Sequence, residues 1–341
     1  MHATTMRYVQ FLGDSRVQVR ERSVPEPGPG EALVRVAISA ICGSELPALQ
    51  RGMGSRGNAN PGHEVAGVVA KVNGLCGIRE GERVGVQVLA GCGRCLFCLQ
   101  GDPKHCVQGA HMVPDGHSEY IVAPEMCLVP LPTDMDWETA VLLCGDVMGT
   151  PYHALKRMGG VQAGQTAAVF GCGPIGLGSL TWLKFYGLDV IVSEIKAYRR
   201  DLAVRLGADL VLDPAHEDVV ARIRAETGGG SDLCLDCSPA EQTLKDALDA
   251  VRTYGRVGWI GEKPLAMVNP SGQVIHKELQ MTGSWYFTRA EFHEELAHYR
   301  RGLSVSQLIT HRFKLEEAPE AYARFAAGET GKVVLTYDGA G

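Results

Sequence analysis

The chain has 341 residues, 45% of them hydrophobic and 21% charged, with a net charge of -6. That is the make-up of an ordinary globular protein, long enough for one large core or, more naturally, two. It gives no reason to expect nucleic acid or an anionic membrane surface as a partner, and no apolar run approaches the ~20 residues of a membrane span. The opening MHATTMRYVQFLGDSR lacks a signal-peptide layout, so the expected compartment is the cytoplasm. Eleven cysteines in a reducing compartment are better explained as metal ligands than as a disulfide framework.

The first ~145 residues read as short strands and turns. VPEPGPGEALVRVAISAICG sets turn-forming Pro and Gly before a run of Val, Ile and Ala, and EVAGVVAKVNG and ERVGVQVLAG repeat that texture. After Pro151 the pattern becomes strand, glycine turn, helix, strand. TAAVFGCGPIGLGSLTWLKFYGLDVIVSE begins it, and LAVRLGADLVLDP and DLCLDCSPAEQTLKDALDAVRTYGRVGWIG continue it. Such alternation implies a parallel sheet with crossover connections. EFHEELAHYRRG reads as a helix, GKVVLTYDG as a closing strand, and the final GAG as a frayed end.

CGRCLFCLQGDPKHC places Cys92, Cys95, Cys98 and Cys106 in one loop. Four thiolates at that spacing can close a tetrahedron around zinc with no open position, so this site is expected to be structural. ICGSE supplies Cys42, Ser44 and Glu45, and PGHEVAG supplies His63 and Glu64. A thiolate, an imidazole and a carboxylate together make a plausible zinc site that leaves room for water or substrate. VLLCGDVMGTPYHAL offers a further ligand, either Cys144 or Asp146.

VFGCGPIG follows an apolar strand and opens a helix, which is the context a dinucleotide-binding glycine turn requires. Gly171, Gly173, Pro174, Ile175 and Gly176 would form it, with the helix N-terminus facing pyrophosphate. DVIVSE ends the next strand at Glu194, where a carboxylate binds ribose hydroxyls and repels a 2′-phosphate, so NAD is expected over NADP. Ser193, Arg199 and Arg200 could accommodate a phosphate only if Glu194 swung away. Cys234 and Cys237 form another CxxC, but in a strand-like stretch where burial explains them; Cys76, Cys127 and Cys172 read the same way.

Taken in order, PEPGPGEALVRV, CGSE, GHEVAG, the four-cysteine loop, GCGPIGLG and GKVVL resemble the zinc-containing medium-chain alcohol dehydrogenases, in their polyol, threonine and secondary-alcohol branch. The resemblance covers nearly the whole chain. It implies an α/β protein with a GroES-like β-rich catalytic domain, here residues 1–147 and 287–341, and a Rossmann coenzyme domain, residues 148–286. It implies two zinc ions per chain, the catalytic one at Cys42, His63 and Glu64. In the family the last ligand position lies four residues before a Thr that faces the nicotinamide and six before an aromatic. Thr150 and Tyr152 fit, which selects Asp146. Glu45 stands where the family usually has an Asp that orients the histidine ligand. Lys332 and Arg199 match basic family positions near the Glu ligand and the adenosine ribose.

The resemblance also implies the chemistry: zinc acts as a Lewis acid on the substrate oxygen, and hydride passes to the nicotinamide. Ser44 matches the hydroxyl that takes the alcohol proton. Many relatives pass that proton to a His three residues on, but here the position is Pro47, so the onward route must use cofactor ribose, water or another His such as His153. The expected activity is NAD-dependent oxidation of a secondary alcohol, a polyol, sugar or cyclitol, by a homodimer or homotetramer. A simple secondary alcohol, threonine, or a reaction without net cofactor turnover are the alternatives. Trp285 is a candidate pocket wall.

Overall fold

Strand Glu31–Ile41 (EALVRVAISAI) has nearly every side chain buried, on both faces, as its run of Val, Ile and Ala favours. It is the hub of a seven-stranded sheet. The sheet runs Ile309–Lys314, Lys332–Thr336, Glu31–Ile41, Glu64–Asn73, Arg83–Gln87, Leu128–Pro130, with Tyr120–Pro124 also paired to the hub strand. Register shifts between Leu33 and Val34 and between Val36 and Ile38 mark bulges, which bend the strand and increase its twist. These contacts are seen in a computed structural model that describes residues 4–52, 61–74 and 77–338. Cys76 and the terminal GAG lie outside the described residues.

The chain divides into two compact units. The first holds residues up to Asp146, then Thr288–Glu294 and the segment from Ile309 onward. Its core joins Val34, Val36, Val65, Val84, Ile121, Phe325 and Val333. Burying each such side chain is worth about 1.5–3 kcal/mol.

The second unit, Val147–Phe287 with Glu295–Leu308, contains a parallel six-stranded sheet. Its order is Leu210–Leu212, Asp189–Ser193, Thr166–Phe170, Ser231–Asp236, Val251–Trp259, Gln280–Gly283. The order reverses direction between Thr166–Phe170 and Ser231–Asp236, the switch point at which doubly wound sheets bind ligands. Phe170, Ile191, Leu244 and Val257 lie in its core.

Helix Arg289–Tyr299 forms as the sequence predicts, and the division into compact units runs through it. Residues 295–308, assigned from sequence to the first domain, group with the second unit. The reason is His298, whose ring lies 5.5–5.8 Å from those of Tyr152, Trp182, Phe185 and Tyr186. Its Nε2 is also 3.2 Å from the Tyr186 hydroxyl. Among the described residues no helix is long and apolar enough to cross a membrane.

Candidate metal and dinucleotide sites

Two groups of side chains among the described residues could each hold a metal ion, and both lie in the first unit. In the four-cysteine loop the ligand atoms of Cys92, Cys95, Cys98 and Cys106 all lie within 4.8 Å of one another. Cys95 Sγ is 3.5 Å from Cys98 Sγ and 4.0 Å from Cys106 Sγ. Four Zn–S bonds in a tetrahedron set S···S separations of ~3.8 Å, so the thiols fit zinc. Gly91 makes the fit possible, because a Cβ there would lie 2.6 Å from Cys98 Sγ. The thiols are unlike one another. Backbone N–H groups of Cys98 and Val107 bring Cys95 down to about 6, whereas burial pushes Cys98 up to about 12.

The second group is Cys42, His63, Glu64 and Asp146, again within 4.8 Å. Cys42 follows the hub strand directly, and Gly43–Glu45 is a short 3-10 turn. His63 and Glu64 stand at the start of the adjacent strand. Asp146 is the first residue of helix Asp146–Arg157, where a carboxylate complements the helix dipole. His63 Nε2 lies 3.2 Å from Asp146 Oδ2, and Cys42 Sγ 3.7 Å from the same oxygen. Glu64 Oε2 and Asp146 Oδ1 are buried without a hydrogen-bond partner. Orphaned anionic oxygens facing a thiol and an imidazole are what a divalent cation would satisfy, so the donor set fits zinc. Burial lowers the His63 pKa, but contacts with Cys42 and Asp146 outweigh it and hold the imidazole well above its usual value. The cluster draws positive charge.

Cys144 is not part of this group. It caps helix Trp137–Leu143 and sits over strand Arg83–Gln87, where a Cβ on Gly85 would lie 2.2 Å from its Sγ. Ser44 is close to the ligands: its Oγ is 3.4 Å from both Cys42 Sγ and His63 Nε2. Glu45 Oε1 is 3.1 Å from His63 Nδ1, so the carboxylate orients the ring. Lys332 is fully buried with its Nζ on Glu64 Oε1. Pro47 lies in the first turn of helix Leu46–Arg51.

In the second unit, Gly171 has φ +86°, and Gly176 packs so closely that a Cβ would lie 1.9 Å from Gly171 O. Gly173 caps helix Pro174–Phe185 without a side-chain hydrogen bond, so the first-turn N–H groups of Ile175 and Gly176 are the ones that can face an anion. Glu194 is buried and anchored at both oxygens, accepting from Cys172 N–H at 2.6 Å and Lys196 N–H at 2.8 Å. Arg199 lies beside the turn, its Nη1 3.8 Å from where a Gly173 Cβ would stand. Arg200 is committed to the Glu194 and Ile195 carbonyls and to Asp213. Thr150 and His153 are buried on helix Asp146–Arg157, and Trp285 is half-exposed. Cys127, Cys172 and Cys234 are buried thiols, as expected, and Cys237 is half-buried beside Ser179.

The Alcohol dehydrogenase GroES-like domain model matches residues 28–133, and the Zinc-binding dehydrogenase model matches residues 174–301. YphC of Escherichia coli (strain K12), an uncharacterized zinc-type alcohol dehydrogenase-like protein, is 33% identical over 98% of this chain and 99% of its own. The chain belongs to the zinc-containing medium-chain alcohol dehydrogenase family. L-threonine 3-dehydrogenase of Pyrococcus furiosus is also 33% identical to this dehydrogenase, over 92% of the chain and 93% of its own.

Solved structures agree. The rspB alcohol dehydrogenase from E. coli CFT073, complexed with NADH, superposes with a TM-score of 0.87 at 26% identity, covering 98% of this chain and 100% of that one. A putative zinc-binding dehydrogenase from Sinorhizobium meliloti 1021, bound to NADP, gives 0.85 at 26% identity over the same shares. This dehydrogenase is therefore an oxidoreductase of the zinc and NAD(P) type.

Sequence reasoning missed the partners of Glu45. Its Oε2 accepts from the Tyr322 hydroxyl at 2.5 Å and faces His117 Nε2 at 3.3 Å. Burial opposes ionisation of Glu45, yet His117 and His63 hold its carboxyl well below the usual range. It also missed the buried ion pair of Lys263 and Asp236 at the end of strand Ser231–Asp236. His117, Tyr322 and Lys263 lie in no motif with recognisable spacing.

Proposed function

We propose that this dehydrogenase oxidises a secondary alcohol carried by a polyol, sugar or cyclitol and delivers the hydride to NAD. The observation that supports it most is the convergence of Cys42, His63, Glu64 and Asp146 on one point, with two buried carboxylate oxygens left for a cation. In this reading the first unit carries the chemistry and the second the coenzyme. Zinc held by the four ligands supplies Lewis acidity toward the substrate oxygen. The four cysteines hold a second, structural zinc.

The chain's own groups then divide the work. Glu45 fixes the His63 tautomer, so that Nε2 presents a lone pair. Ser44, beside the ligands, would receive the alcohol proton; Pro47 has no group to carry it further, so the onward route would need a hydroxyl of the bound cofactor, a water or another side chain such as His153. Thr150, buried on helix Asp146–Arg157, would face the nicotinamide. The open N-terminus of helix Pro174–Phe185 takes the pyrophosphate. Glu194 accepts the ribose hydroxyls, and its two backbone anchors make it a fixed barrier to a 2′-phosphate, which supports NAD over NADP. Arg199, beside the glycine turn, would pack against the adenosine ribose. We infer a cytoplasmic homodimer or homotetramer.

A second reading is oxidation of threonine, favoured by the relatives named L-threonine 3-dehydrogenase. Absorbance of reduced nicotinamide tests both. Zinc-loaded protein is offered NAD or NADP with simple secondary alcohols, linear polyols, sugars, cyclitols and threonine. Turnover of a polyol, sugar or cyclitol with NAD is the expected result; threonine as the sole substrate selects the second reading. Inactivity on the whole panel with both metals bound would refute both.

A further inference from the structure

Behind the His63 ligand lies a chain of buried polar groups, and one assignment of its protons gives every member a partner. Glu45 sits at its centre, accepting Gly62 N–H at 3.2 Å and the His63 ring at 3.1 Å on Oε1, and the Tyr322 hydroxyl and His117 ring on Oε2. An ionised carboxylate only accepts, so each imidazole must donate to it. His117 therefore carries its proton on Nε2, and its Nδ1 accepts from the Ser39 hydroxyl at 2.7 Å. Ser39 in turn accepts from the Tyr337 hydroxyl, also at 2.7 Å. Tyr337, Ser39, His117, Glu45 and His63 are all buried.

The backbone locks this arrangement to the metal ligands. Gly116 N–H donates to Gly62 O and His117 N–H to Pro61 O, both at 3.1 Å, so the segment bearing His117 is zipped to the segment entering His63. Both glycines are required for that approach: a Cβ on Gly62 would lie 2.2 Å from His117 N, and one on Gly116 2.4 Å from Gly62 O. Tyr322 comes from helix Ala318–Ala327 and is held by the Phe11 ring, 5.0 Å away and nearly perpendicular.

We propose that His117 and Tyr322 are positioning residues, which by gripping Glu45 Oε2 keep Oε1 on the Nδ1–H of His63 and so set how tightly the Cys42–His63–Glu64–Asp146 group holds its divalent cation. Without them Oε2 is a buried anionic oxygen with no donor. The carboxylate then turns to recruit one, and His63 loses the bond that fixes its ring. The proposal rests on the metal reading of that group given above.

The test uses the full-length zinc protein. Zinc release to a chromophoric chelator is followed for wild type, His117→Leu, His117→Gln and Tyr322→Phe, with total zinc measured by plasma mass spectrometry. The amide of His117→Gln can still donate to Glu45. Wild type is expected to release two zincs in separate phases. His117→Leu and Tyr322→Phe should speed one phase by about 10–100-fold and leave the four-cysteine phase unchanged, and His117→Gln should restore most of the difference. Cobalt-substituted protein provides the second readout, because displacement of His63 alters the visible cobalt bands, which a mere loss of fold stability would not. Unchanged release and unchanged cobalt bands in folded Tyr322→Phe would overturn the proposal alone. A wild type that binds only the four-cysteine zinc would overturn the metal reading and the proposal with it.

Discussion

Lys332 Nζ lies 2.5 Å from Glu64 Oε1, and the two side chains are 1% and 0% exposed. Burial raises Glu64 to about 7 against the pull of Lys332. A carboxyl whose folded pKa lies above its unfolded one gives stability that is complete below the unfolded value and is lost as pH rises through the folded value. Metal-free protein should therefore lose stability between about pH 4.5 and pH 7 in urea titrations, and Glu64→Gln should flatten that slope. Lys332→Met strands a buried anion and should cost about 3–5 kcal/mol at pH 8, with less effect at pH 5, where Glu64 is neutral.

The separation of Cys144 from Asp146 gives a paired prediction. Asp146→Ala removes an oxygen donor from the cluster and should leave one zinc per chain. Cys144→Ala opens a small void above Gly85, costing about 1 kcal/mol in a denaturant melt, and should keep both zincs. Elemental analysis of the two variants decides it.

Glu194→Ala removes a charged acceptor from the dinucleotide site. Loss of such hydrogen bonds is worth about 1.5–3 kcal/mol, so kcat/KM with NAD should fall roughly 10–100-fold. The value with NADP should hold or rise. An equal fall with both coenzymes would mean that Glu194 serves only to anchor the Cys172 and Lys196 amides.

Zinc removal should expose unequal thiols in the four-cysteine loop. In chelator-stripped protein, Cys95 should be alkylated first by iodoacetamide, at a rate that drops as pH falls below about 6, because the thiolate is the nucleophile. Cys98, raised to about 12, should lag throughout the neutral range. Restoring zinc should protect both. Mass spectrometry of the modified peptides reads the order.

What was legible in the sequence was local. Cys92, Cys95, Cys98 and Cys106 share one loop, and Gly171, Gly173 and Gly176 share one turn, so their spacing carries their geometry. Cys42, His63 and Asp146 are far apart in sequence, and only their surrounding motifs identified them together. His117 and Tyr322 had no such help, since they reach Glu45 across 72 and 277 residues. A histidine and a tyrosine with no periodic context look like any other core residues. The grouping of residues 295–308 with the second unit was not legible, because the aromatic cluster around His298 draws its rings from separate helices. The trace of Lys332 beside Glu64 was readable only as a family position, not as an ion pair.

Strand Lys332–Thr336 enters the first unit's sheet between Ile309–Lys314 and Glu31–Ile41. The hub strand is therefore synthesised long before this neighbour, although its partners Glu64–Asn73 and Tyr120–Pro124 follow it more closely. The six strands of the second unit, by contrast, come from one uninterrupted stretch and can pair as they appear. The counter-charge of Glu64 and the hydroxyl that grips Glu45 are both delivered by the closing segment. All four ligands lie within residues 42–146, so the set of buried partners around them is complete only once the segment bearing Tyr322 and Lys332 has docked.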